Sequence, residues 1–162
     1  MTDDDVFKYG KELVLEAGKL LLTFYGQVER TPKGVNDVVT VADHALEKFV
    51  IDKLLARFPA HQIISEETNA GAAQIGADCW VLDPLDGTVC FAAQLPFFSV
   101  SLAYLRHGDP VMGWVYDPLH NELFSAQKGR GSELNGKKIK VAEVPDMLPS
   151  GVSSGILEFA GR

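Results

Sequence analysis

The chain has 162 residues, the length of a single globular domain, with 46% apolar and 23% charged residues, which excludes a disordered segment and a coiled coil. Its formal charge is −7, and its basic residues are scattered along the chain. We therefore expect no nucleic-acid partner, and an anionic substrate would need a cation such as Mg²⁺ beside it.

The amino end and the apolar runs bear on localisation. Residues 1–5 lack a basic region followed by an apolar stretch, and no apolar run approaches the thickness of a bilayer. We expect neither a signal peptide nor a membrane partner, and hence a cytoplasmic protein. Cys79 and Cys90 fit no disulfide framework and no zinc spacing, so they are predicted to be free thiols.

Helical periodicity runs through the first part of the chain. Three aspartates precede apolar residues at helical spacing from Val6 to Phe24, and Gly26 can end that helix. A second helix is predicted from about Thr40 to Phe58, before a proline.

From Gln62 onward, short apolar runs predict strands. The last three are separated by turns and predict an antiparallel meander, and Asn135-Gly136 predicts a tight hairpin. The predicted strands are Ile63–Ile64, Cys79–Leu82, Phe97–Leu105, Val111–Tyr116 and Glu122–Ala126. Helices followed by mostly antiparallel strands predict an α+β fold with helices layered on a sheet. We assign residues 1–144 to this domain and residues 145–162 to an irregular tail.

The stretch WVLDPLDGTVCF at residues 80–91 carries the clearest chemistry. Asp83 and Asp86 follow the predicted strand, and Gly87 permits a sharp turn, so two carboxylates would face one spot. At about 4 Å they would repel by roughly 4 kcal/mol at an effective dielectric of 20, a cost that a cation removes. Gly87 and Thr88 are predicted to begin a helix over residues 89–93 whose free N–H groups would bind phosphate. The simpler alternative is a helix N-cap.

Other acidic residues are weaker signals by themselves. Glu66 and Glu67 follow a predicted strand and would suit a solvated loop or a first helical turn. Asp43 suits the first turn of a helix. Lys33 alone would be a surface lysine.

Three separated elements together resemble the inositol monophosphatase family: DVVTVAD at residues 37–43, SEET at 65–68, and WVLDPLDGTVCF. The resemblance runs from about Lys11 to Val141. It implies the amino-terminal half of the inositol monophosphatase and fructose-1,6-bisphosphatase fold, with Mg²⁺ as cofactor.

The resemblance also implies roles for individual residues. Glu66, Asp83 and the Leu85 carbonyl would bind one Mg²⁺, and Asp83 with Asp86 would bind a second. Thr88, supported by Asp43, and Glu66 would deprotonate a water for in-line attack on phosphorus. The phosphate-binding positions are Glu66, Leu85, Asp86, Gly87 and Thr88, and the accessory candidates are Glu67 and Lys33.

The sequence departs from the family in two places. Cys90 stands where relatives have asparagine, which replaces an amide with a weak thiol. The W-D-x-A-A motif of the relatives' second half is absent, since Trp80 and Trp114 are each followed by valine. We therefore expect the chain to retain metal and phosphate binding but to lack efficient turnover. We also expect exposed apolar surface to favour a homodimer or other self-association.

The predicted function is Mg²⁺-dependent hydrolysis of a small phosphomonoester, with inositol monophosphate as the first choice. Fructose-1,6-bisphosphate, a nucleotide bisphosphate and histidinol phosphate are alternative substrates because the metal motif is shared. The rival from another class is a truncated or degenerate non-catalytic paralogue that retains metal or phosphate binding.

Overall fold

The computed structural model describes residues 2–27, 35–66 and 75–141, without the side chains of residues 35–40. Lys33, Glu67 and the predicted tail at residues 145–162 lie outside the described residues. The predictions made for them stay predictions.

Helix α1 spans Asp3–Phe24 and confirms the first predicted helix. Its start is a capping box: the Thr2 hydroxyl accepts from the Asp5 N–H at 3.2 Å, and the Asp5 carboxylate accepts from the Thr2 N–H at 2.9 Å. Gly26 follows the helix with φ of 77°, a conformation that glycine adopts without strain. Thr2 and Asp5 therefore fix where the helix begins.

Helix α2 spans Val35–Arg57 and begins five residues before the predicted start at Thr40. The early start was missed because its first residues are rich in valine, whose branched side chain lowers helix propensity. In the part of the chain that the structure describes, no helix combines the length and the apolar character needed to cross a membrane.

Within the described residues, seven strands form one sheet whose spatial order follows the chain. Strands β1 and β2 pair in parallel and all later neighbours pair antiparallel, which confirms the α+β prediction. The tight hairpin is also confirmed, since Asn135 and Gly136 link β6 to β7 with φ of 51° and 77°. The strands are β1 (Gln62–Ser65), β2 (Asp78–Asp86), β3 (Ser99–Arg106), β4 (Asp109–Asp117), β5 (Glu122–Gln127), β6 (Gly131–Leu134) and β7 (Lys137–Ile139).

Helices α1 and α2 cover one face of the sheet, and the core lies between these helices and the sheet. Gly10 and Gly18 lie two helical turns apart, on the face of α1 that meets β4. A methyl group at Gly10 would overlap the buried Trp114 ring, and one at Gly18 would overlap Tyr116. The two glycines therefore let the helix approach two large aromatic rings closely.

The opposite face of the sheet carries exposed apolar side chains. Val115 and Phe124 lie directly opposite each other on β4 and β5, and they are 41% and 40% exposed. Ile139 on β7 is 40% exposed, and these side chains border a cavity of about 430 Å³. The sheet is therefore buried on its helical face and partly open on the other.

Candidate active site

Strand β2 does not end at Leu82 as predicted but continues to Asp86. Asp83 pairs with Ser101 and Asp86 with Ser99, so the strand carries one extra residue there, as in a β-bulge. The bulge contains Pro84, which has no N–H for the ladder, and the Leu85 N–H turns back to the Asp83 carboxylate at 3.2 Å. Asp83 and Asp86 thus lie within a bulged strand, whereas we predicted that they follow the strand's end.

Glu66 reaches Asp83 because β1 and β2 run in parallel. Ser65 pairs with Leu82, so Glu66, just past the end of β1, and Asp83, the next residue of β2, bring their carboxyl groups to the same end of the sheet. The pKa of Asp83 rises to about 7 through burial, the charge of Glu66 and hydrogen bonding with it, and the charge of Asp86. Three acidic residues from two strands therefore influence one another here.

The donor set suits a hard cation. Mg²⁺ prefers oxygen ligands from one or two carboxylates, and the Glu66 and Asp83 pair supplies them beside the backbone of the bulge. Within residues 2–27, 35–66 and 75–141, no three His, Cys, Asp or Glu side chains come together as a ready metal cluster. The described residues therefore offer a two-carboxylate site. The raised pKa of Asp83 reflects burial and the neighbouring negative charge, and a bound cation would offset both costs of ionising it.

Asp86, predicted to share a second metal with Asp83, lies on the outer side of the bulge. Its side chain is exposed, and it accepts a long hydrogen bond of 3.5 Å from the Ser99 hydroxyl. Ser99 was not among the predicted site residues. Ser99 follows Asp86 by thirteen residues, so only the register of β2 and β3 reveals that the two residues are neighbours.

Gly87 connects the bulge to helix α3, which spans Thr88–Ala92. Its φ is 88°, and a Cβ there would lie 2.5 Å from the Phe97 carbonyl oxygen, so a larger residue would meet both strain and a clash. The Thr88 hydroxyl donates to the Leu85 carbonyl at 3.0 Å. The short helix was predicted within one residue at each end, but the close approach of Phe97 was not.

Asp43 is buried on α2, with 5% of its surface exposed. Helix α2 packs against both β2 and α3, so the elements that carry Asp43 and Thr88 are in contact. The helix that carries DVVTVAD therefore packs against the two elements that carry WVLDPLDGTVCF. Cys79 and Cys90 are both free, as predicted.

Comparison with known families gives one result that decides the relationship. The model of the "Inositol monophosphatase family" matches residues 3–159. The chain belongs to the inositol monophosphatase family. The resemblance inferred from three short segments is therefore confirmed over almost the whole chain.

Two curated relatives show how far the similarity extends. The chain is 34% identical over 161 residues to the "Fructose-1,6-bisphosphatase/inositol-1-monophosphatase" of Thermotoga maritima, covering 98% of this chain and 62% of that protein. It is 40% identical over 135 residues to the "Nus factor SuhB" of Escherichia coli K12, covering 82% of this chain and 51% of the relative. The chain thus spans about half to three-fifths of the length of these relatives.

A solved structure supports the fold directly. The Thermotoga maritima IMPase superposes with a TM-score of 0.75 at 35% identity, over 86% of this chain and 54% of that one. The helices on a mostly antiparallel sheet therefore match an inositol monophosphatase fold.

Proposed function

We propose that this chain binds Mg²⁺ and a small phosphomonoester, and that it hydrolyses the ester by attack of an activated water. The observation that supports this most strongly is the parallel register of β1 and β2, which places Glu66 beside Asp83 at one end of the sheet. The glycine turn into α3 follows on the same strand. Membership of a phosphatase family agrees with the proposal.

Each residue has a distinct task in this proposal. Glu66, Asp83 and the Leu85 carbonyl would hold Mg²⁺, and Asp86 would contribute to a second ion beside Asp83. When bound, the metal supplies positive charge next to the phosphoryl group and acidifies water. In the structure the Leu85 carbonyl accepts a hydrogen bond from the Thr88 hydroxyl. If this carbonyl held the metal, the hydroxyl would be free to donate to water or phosphate.

The turn at Gly87 would hold the phosphate. The first N–H groups of a helix have no partner inside the helix, and those of Gly87 and Thr88 lie directly after the carboxylate bulge on the same chain. Glu66 would accept the proton from the attacking water. Asp43 would keep Thr88 in place through the packing of α2 on α3.

Inositol monophosphate is the proposed substrate. Its support is the family and the name of the Thermotoga maritima relative, which includes inositol-1-monophosphatase beside fructose-1,6-bisphosphatase. Fructose-1,6-bisphosphate is thus the first alternative to test, followed by a nucleotide bisphosphate and histidinol phosphate. The relatives have further residues without a counterpart in the matched part of this chain, so slow turnover is part of the proposal.

The rival function is binding without catalysis. Relatives named Nus factor SuhB are 40% identical to this chain over their matched part, and Cys90 alters one position of the motif. Under this second proposal the acidic pair binds a metal and the fold serves as a binding surface for another molecule.

Phosphate release from inositol monophosphate separates these two functions. The proposal predicts release that requires Mg²⁺, at a rate below the order of 10 s⁻¹ that is usual for enzymes, and that is lost in Asp83→Asn. A matched control is Asp109→Asn, because that aspartate lies on β4 and is 74% exposed. The rival predicts no release from any substrate of the panel while Mg²⁺ still binds. Release without Mg²⁺, or in Asp83→Asn, would contradict the proposed mechanism.

A further inference from the structure

A separate cavity of about 360 Å³ lies between the amino-terminal half of α1 and the β5–β7 hairpins. Four basic and two acidic side chains line it, together with Phe7, so the cavity has a surplus of two positive charges in a chain of net charge −7. The charged residues are Lys8, Lys11, Arg130, Lys138, Asp4 and Glu133. This is a local reversal of the charge of the protein.

The acids of this basic cavity are already neutralised. Glu133 accepts from Lys11 at 2.8 Å through one oxygen, and its other oxygen lies 3.3 Å from the Lys138 ammonium. These two lysines hold the pKa of Glu133 below its usual range, so it stays charged. Arg130 pairs with Asp4. The Glu133 carboxylate therefore pairs with two ammonium groups, so one positive charge is not balanced within the cavity.

Lys8 supplies the rest of the surplus. Its nearest acid, Glu12, lies 3.8 Å away with a side chain that is 58% exposed, and Glu12 does not line the cavity. Exposed pairs of this kind within one helix are weak. Lys8 is 78% exposed and can turn toward a ligand without breaking a buried contact. Lys138 is 64% exposed and would exchange its contacts with Glu133 and with the Arg130 carbonyl for those of a ligand.

The basic cavity is distinct from the candidate active site. It lies beside residues 4–11 of α1, whereas Tyr25, just past the other end of that helix, packs against Phe91 of α3 with ring centres 5.5 Å apart. At 1.5 Å per residue, the helix separates the two places by roughly 20 Å. Two Debye lengths at physiological salt are shorter than this distance, so the acidic pair does not set the potential in the basic cavity.

We propose that the basic cavity is a second anion site that binds a compact ligand bearing phosphate groups. Its volume falls within the range of small-molecule pockets. Arginine and lysine are the side chains that most often hold phosphate oxygens. Phe7, with the Lys11 ammonium 4.6 Å from the centre of its ring, supplies an apolar wall. This proposal does not depend on the proposed phosphatase activity.

The competing explanation is that these charges only attach α1 to the β5–β7 hairpins. In that case the partly buried pair of Lys11 and Glu133 would be the important one, and the exposed Lys8 and Lys138 would contribute little. If the cavity binds an anion, the exposed Lys8 and Lys138 should instead make the larger contribution. The two exposed lysines are therefore the informative positions.

The test is a titration of the full 162-residue chain with inorganic pyrophosphate in EDTA, followed by NMR of backbone amides. The proposal predicts saturable binding with Kd at or below the order of 1 mM, the largest shifts near residues 8, 130 and 138, and weaker binding as salt increases. Lys8→Gln combined with Lys138→Gln should weaken binding at least about tenfold.

The matched control is Lys48→Gln combined with Lys128→Gln. These lysines are 75% and 65% exposed and each pairs with an aspartate, but neither lines the cavity. Binding should be unchanged in this variant. Equal weakening in both double variants, no saturation, or largest shifts at Gly87 and Thr88 would each overturn the proposal. The salt dependence and the shifts of the unmutated chain test it without any variant.

Discussion

Asp83→Asn should make the metal-free protein more stable while removing its response to Mg²⁺. Burial and the neighbouring acids raise the pKa of Asp83 from its ordinary 3.8 to about 7. That change corresponds to about 4 kcal/mol of unfavourable energy for the ionised form. The group is only partly buried, so solvent screening reduces the expected effect to about 1–2 kcal/mol.

The effect must depend on pH in a defined direction. Below about pH 4 the carboxyl group is protonated in both the folded and the unfolded state and costs nothing. Between about pH 4 and 7 the folded state retains the proton and the unfolded state loses it, so the free energy of unfolding falls as pH rises. Above about pH 7 the full cost is present.

Thermal unfolding in EDTA at pH 4 and pH 8 measures this effect. At pH 8 we expect the unfolding midpoint of Asp83→Asn to exceed that of the unmutated chain by about 3–6 °C, and at pH 4 we expect no difference. Added Mg²⁺ should raise the midpoint of the unmutated chain, because a ligand that binds only the folded state stabilises it, but not that of the variant.

Asp109→Asn serves as the control, since its exposed carboxylate should change stability by less than about 0.5 kcal/mol at either pH. A lower midpoint for Asp83→Asn at pH 8 would refute the reasoning. An unchanged Mg²⁺ response in this variant would refute the assignment of Asp83 as a ligand.

Three further predictions concern the turn, the core and the open sheet face. Gly87→Ala should abolish phosphate release and lower the unfolding free energy by at least about 2 kcal/mol, because strain and a backbone clash coincide there; wild-type activity would contradict this. Gly10→Ala should destabilise by about 1–2 kcal/mol by chemical denaturation, since overlap with the buried Trp114 ring outweighs a helix gain of about 1 kcal/mol. Gly113→Ala, which meets nothing within 4 Å, should not destabilise, and equal losses would disprove the packing argument. We also propose that the open sheet face drives self-association: light scattering should show an oligomer that Phe124→Ser weakens, whereas a monomeric unmutated chain would refute the proposal.

Much of the fold could be predicted because local signals agreed with tertiary packing. The aspartates in the first turn of α1 and the Asn135-Gly136 pair act within a few residues of where they occur, so their effects can be read from the sequence. The early start of α2 could not, because its valines have low intrinsic helix propensity. The length of β2 was missed for a different reason: proline normally interrupts a ladder, and here a bulge accommodates it.

The candidate site shows the same division. Asp83, Asp86 and Gly87 lie in one stretch of sequence and could be assigned from it. The proximity of Glu66 to Asp83 needs the parallel register of β1 and β2, which no local pattern specifies. The approach of the Phe97 carbonyl to Gly87 and the basic cavity beside α1 depend on residues far apart in the chain, so only the structure reveals them.

Titration calorimetry of the full chain with Mg²⁺ tests the central claim most directly, using Glu66→Gln and, as its control, Glu122→Gln at an exposed position on β5. Our account predicts saturable binding to the unmutated chain and to Glu122→Gln, with a loss of affinity of at least about tenfold in Glu66→Gln. Equal Mg²⁺ affinity in all three proteins would contradict it.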